Sequence, residues 1–177
     1  MNLIKVATAF VLLASSLAFS AVTVGKTAPE INAGSWYNAD GKKVSLADLK
    51  GKVTVVEFWA TWCPPCRKSI PHLNKLHKKY KDKGVVIIGL SNEKSDTVKK
   101  FVKKQNMKYI VGAGSKSGGT YGVSGIPTAF IIGADGTLLW KGHPMNGMDA
   151  ALEKAVKSVK PAKTAKAVKP AKPTTTK

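Results

Sequence analysis

The 177-residue chain is long enough for one domain with a sizeable core. It holds two cysteines separated by two residues, which excludes a fold stapled by disulfides, because stabilisation grows with the loop closed. Lys and Arg number 29 against 10 Asp and Glu, and a net charge of +19 calls for either solubility or an anionic partner such as lipid headgroups, nucleic acid or an acidic protein.

The chain opens with a lysine at Lys5 and then runs without charge from Val6 through Phe19, before the small residues Ser20 and Ala21. A basic start, an apolar stretch of about 14 residues and a small-residue exit form the pattern of a secretory signal. Segment 1–20 is therefore expected to be a signal peptide cleaved after Ser20. Its apolar run is short of the roughly 20 residues that span a membrane. The uncharged stretch continues to Val24, so an uncleaved anchor is the alternative. Export would place the chain where disulfides persist.

Residues 22–37 read as irregular, and Asn38-Ala39-Asp40-Gly41 as a turn. A short strand is expected at 42–44 and a capped short helix from Ser45, ending near Gly51. The β-branched run from Val53 to Trp59 predicts a buried strand. A helix follows, with Ile70, Leu73, Leu76, His77 and Tyr80 on one face, a kink at Pro71 and a stop at Gly84. Residues 85–90 form a second buried strand, parallel to the first through a right-handed crossover. Next come a helix over 95–105, a short strand at 109–111, a hairpin of 128–132 with 137–140, and a last helix over 148–159. The order implies an α/β fold, a mixed sheet with helices on both faces. The glycine-rich stretch 112–119 lacks phosphate-loop spacing and reads as a flexible loop.

Chemistry concentrates in Trp62-Cys63-Pro64-Pro65-Cys66-Arg67, which follows a buried strand and opens a helix. Unpaired N–H groups and the positive dipole end stabilise a thiolate there, and the thiolate is the reactive form. Cys63 is expected to be the exposed nucleophile, and Cys66, one turn in, the buried sulfur that resolves a mixed disulfide. Pro64 and Pro65 have no N–H, which leaves Cys66 and Arg67 as the nearest main-chain donors to the Cys63 sulfur. A zinc site needs more ligands than His72, His77 and His143 offer at these spacings, so no metal is expected. Covalent haem attachment needs a histidine where Arg67 stands. The pair therefore reads as a redox dithiol that needs no other cofactor.

The run Glu57-Phe58-Trp59-Ala60-Thr61-Trp62-Cys63-Pro64-Pro65-Cys66 resembles the active site of the thioredoxin superfamily. More narrowly it resembles the TlpA-like periplasmic or membrane-tethered thiol–disulfide oxidoreductases. Gly25-Lys26-Thr27-Ala28-Pro29, Gly51-Lys52-Val53 and Gly125-Ile126-Pro127-Thr128 resemble three further segments of that family, in the same order. The resemblance implies a thioredoxin-like domain over 22–159. It implies Cys63 as the attacking cysteine, a cis peptide at Pro127, and an Ile126 backbone that pairs with extended substrate. Glu57 takes the family's buried acidic position, where a pKa raised by burial would let it exchange a proton with Cys66. Trp62, Pro64, Pro65, Ile126 and Pro127 form the implied substrate surface, while Trp59 suits the core. Implied partners are cysteine-containing protein substrates and a membrane thiol reductase as electron donor, with the enzyme a periplasmic reductant and a monomer. An oxidase or isomerase would use the same fold. A peroxidase is disfavoured because no proline precedes Thr61 locally, as the peroxidatic motif requires.

From Lys160 the composition turns to Lys, Pro, Ala and Thr, and segment 160–177 is expected to be a disordered basic tail. Lysines recur every third residue from Lys154 to Lys172. In polyproline II that period lines one edge with charges about 9 Å apart, which suits an anionic membrane surface. The alternative function is an envelope- or nucleic-acid-binding module acting through this tail. Of the two surfaces, nucleic acid is the less favoured.

Overall fold

A computed structural model describes residues 22–159. The expected signal segment 1–20 and basic tail 160–177 lie outside the described residues. In chain order the strands and helices are β1 (Ser35–Tyr37), β2 (Val53–Phe58), α1 (Pro64–Tyr80), β3 (Val85–Ser91), α2 (Ser95–Lys104) and β4 (Ile110–Ala113). Then follow α3 (Ser117–Thr120), β5 (Thr128–Ile132), β6 (Leu138–Gly142) and α4 (Met148–Ser158).

Every residue of β2 is buried, as its apolar, β-branched composition demands of a central strand. It pairs parallel with β3 and antiparallel with β5. The full sheet has the order β1-β4-β3-β2-β5-β6, with β4 parallel to β3 and both edge strands antiparallel to their neighbours. The mixed sheet flanked by helices is the thioredoxin-like architecture.

Strand alternation sorts the side chains onto two cores. Val53 and Val55 face one core, into which α1 sends Ile70, Leu73 and Leu76, α2 sends Val98 and Val102, and α4 sends Met148, Leu152 and Ala155. Glu57 follows in the same register. Val56 and Phe58 face the second core, with Ile31, Tyr121, Phe130 and Leu138. The helices thus flank the sheet unequally. The three long ones share one face, and the other is closed by the N-terminal stretch, the 3-10 turn Ala47–Leu49 and the single turn of α3.

Three local expectations are corrected. Residues 35–37 are a strand, held not by their own pattern but by antiparallel pairing with 111–113 of the β4 edge. Residues 42–44 form no strand; Lys42 N–H instead closes the preceding turn onto the Ala39 carbonyl at 2.9 Å. The stretch 112–119 is not a plain loop: it contains the end of β4 and most of α3, with Ser117 Oγ accepting Asn32 N–H at 2.8 Å and buried Ser115 donating its N–H to the Ser91 carbonyl. Helix α1 runs through Pro71 without interruption and passes into the 3-10 turn Lys81–Lys83. Gly84 then ends it in the left-handed region at φ 76°, which favours glycine.

Candidate active site

The chain leaves β2 at Phe58 and is held to β3 for one more step by Trp59 N–H donating to the Leu90 carbonyl. Trp59 is buried, while Trp62 is 67% exposed, so the two indoles separate into core and surface. Cys63 is the N-cap of α1, with extended backbone, and Pro64 and Pro65 occupy the first turn, where missing N–H groups cost nothing. Cys63 and Cys66 form a disulfide. The Cys66 N–H donates to Cys63 Sγ at 3.2 Å. Arg67, the other expected donor, gives its N–H to the Cys63 carbonyl at 3.1 Å.

Cys63 is not exposed in this disulfide form; it is 2% accessible and Cys66 0%. The cause is tertiary. The loop before β5 brings the Ile126 carbonyl to 3.8 Å from Cys63 Sγ, next to a buried Pro127 whose peptide bond is cis. Access to the sulfur is therefore framed by exposed Trp62, Pro64 and Pro65 and by the half-buried Ile126. A cleft of about 450 Å³ opens beside them, lined by Phe58, Ala60, Trp62, Leu90, Lys116 and Ile126.

Glu57, on β2, is fully buried. Burial pushes its carboxyl up to about 8, opposed by one hydrogen bond with Ser69. Ser69 Oγ lies 2.8 Å from Glu57 Oε1 and 2.7 Å from the Cys66 main-chain carbonyl oxygen, so the serine stands between the Glu57 carboxyl and that carbonyl. Glu57 Oε2 has no hydrogen-bond partner among the described residues. Opposite Glu57 on β3 stands Gly89. A Cβ there would come within 2.9 Å of Trp59 Nε1 and 3.1 Å of Tyr109 Cε2, so glycine lets both rings close over this face. The Tyr109 hydroxyl is buried and held well above its ordinary pKa by burial and then by the Glu57 charge.

A second carboxylate stands beside the motif. Glu93 accepts Thr61 N–H and Thr61 Oγ1–H, both at 2.7 Å, and Ser91 Oγ–H at 3.0 Å. It ties the segment before Cys63 to the end of β3. Sequence reasoning missed Ser69, Glu93 and Tyr109. Ser69 left a readable trace, a polar residue one turn after Cys66 on the apolar face of α1. Of the histidines, His72 Nε2 pairs with Asp149 Oδ1 at 2.8 Å across α1 and α4, and His77, partly buried, has its pKa lowered by burial.

Residues 24–141 match the model of the AhpC/TSA family. The chain belongs to that family. Among curated relatives of this AhpC/TSA chain, the thiol–disulfide oxidoreductase ResA of Bacillus anthracis is 44% identical over 119 residues, covering 66% of this chain and 67% of that protein. A putative thiol:disulfide interchange protein DsbE from Chlorobium tepidum superposes with a TM-score of 0.69 at 28% identity, over 77% of this chain and 99% of that one. A thioredoxin-family thiol:disulfide interchange protein from Chlorobium tepidum TLS gives 0.62 at 32%, over 76% and 98%. This member of the family is a thioredoxin-superfamily redoxin and an enzyme of the thiol–disulfide oxidoreductase class, with Cys63 and Cys66 as its CXXC pair. Among the described residues no helix is long and apolar enough to cross a membrane.

Proposed function

We propose that the enzyme is exported and acts in the periplasm as a reductant of disulfides in protein substrates. What supports this reading is the placement of Cys63. Its sulfur sits at a helix N-terminus, accepts an N–H, and faces the Ile126 carbonyl beside exposed Trp62. An extended substrate strand pairs with the Ile126 backbone and lays its own sulfur against Cys63, with Trp62, Pro64, Pro65 and Pro127 as the surrounding surface.

The Cys63 thiolate attacks one sulfur of the substrate disulfide. That bond breaks and the other substrate sulfur leaves as a thiolate. Cys66 loses its proton and attacks Cys63 Sγ, which releases the substrate's second sulfur. Two electrons pass to the substrate, whose thiolates take up two protons, and the enzyme is left as its disulfide. A membrane thiol reductase returns the electron pair. The two sulfurs carry the electrons without a further cofactor. Glu57, with a carboxyl near 8, exchanges the proton of Cys66 near neutral pH. The basic tail holds the enzyme near anionic lipids, a role that ends if deleting 160–177 leaves liposome co-sedimentation unchanged.

The deciding measurement is the Cys63–Cys66 potential, equilibrated in glutathione buffers. A value near thioredoxin's, about −270 mV, agrees with a reductant, whereas one near −120 mV makes the enzyme an oxidant and reverses the proposed electron flow. Insulin reduction with Cys63→Ser as control tests the exchange itself, and turnover surviving in that variant rejects it.

A further inference from the structure

Ser69 Oγ has one hydrogen and two close oxygen neighbours, Cys66 O at 2.7 Å and Glu57 Oε1 at 2.8 Å. The Cys66 carbonyl only accepts. If it takes the serine hydrogen, the contact with Glu57 is a hydrogen bond only when the carboxyl keeps its own proton on Oε1 and donates it. If Glu57 is ionised, the serine hydrogen must turn to the carboxylate, and the Cys66 carbonyl loses it. Both residues are 0% exposed, so bulk solvent touches neither group and each depends on its protein partners for hydrogen bonds.

We propose that Ser69 is a positioning residue for the dithiol reaction, a hydroxyl switch that couples the proton on Glu57 to the hydrogen bond on the Cys66 carbonyl. The inference rests on the reading of Glu57 as the proton-exchanging group. The surroundings leave few competitors. On α1 the groups joined to the carboxyl by hydrogen bonds are the Ser69 hydroxyl and, through it, the Cys66 carbonyl, and the Cys66 sulfur does not titrate as a disulfide. Gly89 of β3 and Ala129 of β5, its register partners, carry no titratable group. Tyr109, just before β4, is the titratable group that feels the Glu57 charge, and it is held far above neutral pH. Trp59, directly after β2, contributes only an Nε1–H without a partner among the described residues. A carboxylate gains more from a hydroxyl donor than a neutral carboxyl does from the same oxygen, so losing the hydroxyl disfavours ionisation.

The test is a ¹³C NMR titration of the full-length disulfide form, following the Glu57 carboxyl carbon and the Cys66 carbonyl carbon together. In the wild type both signals are expected to move with one midpoint. In Ser69→Ala the Glu57 midpoint is expected to rise by roughly one pH unit, the tenfold change of one lost charge-assisted hydrogen bond. The Cys66 carbonyl should then stop following it, and Ser69→Thr should restore both behaviours. A wild-type Cys66 carbonyl signal that stays flat through the Glu57 midpoint overturns the switch, and that result needs no variant to fold. An unmoved Glu57 midpoint in a folded Ser69→Ala protein overturns it equally. No substrate is present in either titration, so these results stand apart from the kinetics of Glu57→Gln, whose failure would remove the catalytic reading instead.

Discussion

Two carboxylates flank the redox motif, and their surroundings are opposite. Glu57, on β2, is wholly buried, with one oxygen bonded to Ser69 and the other unpartnered among the described residues. Glu93 lies beside the motif, half-buried, with both oxygens bonded to Thr61 or Ser91. A buried carboxyl left short of donors keeps its proton, and one surrounded by donors acts as a clamp. The molecule thus sets a buried carboxyl with one bonded oxygen and a half-buried carboxyl with both oxygens bonded on the two sides of one short segment.

The largest effect is expected at Glu57. Its folded pKa, about 8, lies above the usual carboxylate value of 4.5, so between these limits the unfolded chain ionises while the native one stays protonated. Native stability therefore falls as pH rises from 4.5 to 8 and levels off above, by an amount on the order of 5 kcal/mol from this group alone. Urea denaturation from pH 5 to pH 9 should show that slope in the wild type and lose it in Glu57→Gln. The same variant should slow mixed-disulfide resolution about 100-fold in stopped-flow, the scale of general acid–base catalysis. Unchanged rates would leave Glu57 a structural acid only.

A smaller loss is expected at the clamp. Glu93→Ala should cost about 2 kcal/mol in the same denaturation, because Thr61 and Ser91 lose a charged acceptor. The pH slope from Glu57 should persist in that variant; its disappearance would mean the two carboxylates act as one unit. The smallest stability effect belongs to Trp62→Ala. Its indole is 67% exposed, so stability should stay within about 0.5 kcal/mol, while KM for a protein disulfide rises severalfold. An unchanged KM would take Trp62 off the substrate surface.

Long periodic elements are legible in the order of residues alone. Helix α1 begins at Pro64 because the cysteine–proline run caps it, and β2, β3, α2 and α4 fall within a residue or two of their patterns. The short elements are not. Three residues of β1 carry no periodicity, and only pairing with β4 makes them a strand. Residues 42–44 resemble a strand in composition but meet no partner edge. At the site, Cys63, Cys66 and Glu57 are readable from spacing and resemblance, whereas Ser69, Glu93 and Tyr109 come from separate parts of the chain.

The mixed α/β order and the dithiol at a helix start follow from the chain itself, because each is written in local spacing, while the acid six residues before Cys63 follows from the resemblance to the thioredoxin superfamily. How those groups are presented follows from long-range packing. Packing buries Cys63 under the Ile126–Pro127 loop, joins Glu57 to the Cys66 main-chain carbonyl through Ser69, and places the three long helices on one face of the sheet. Burial and hydrogen-bond partnership depend on chain segments far apart in sequence, and it is these that set a pKa and the path to a sulfur.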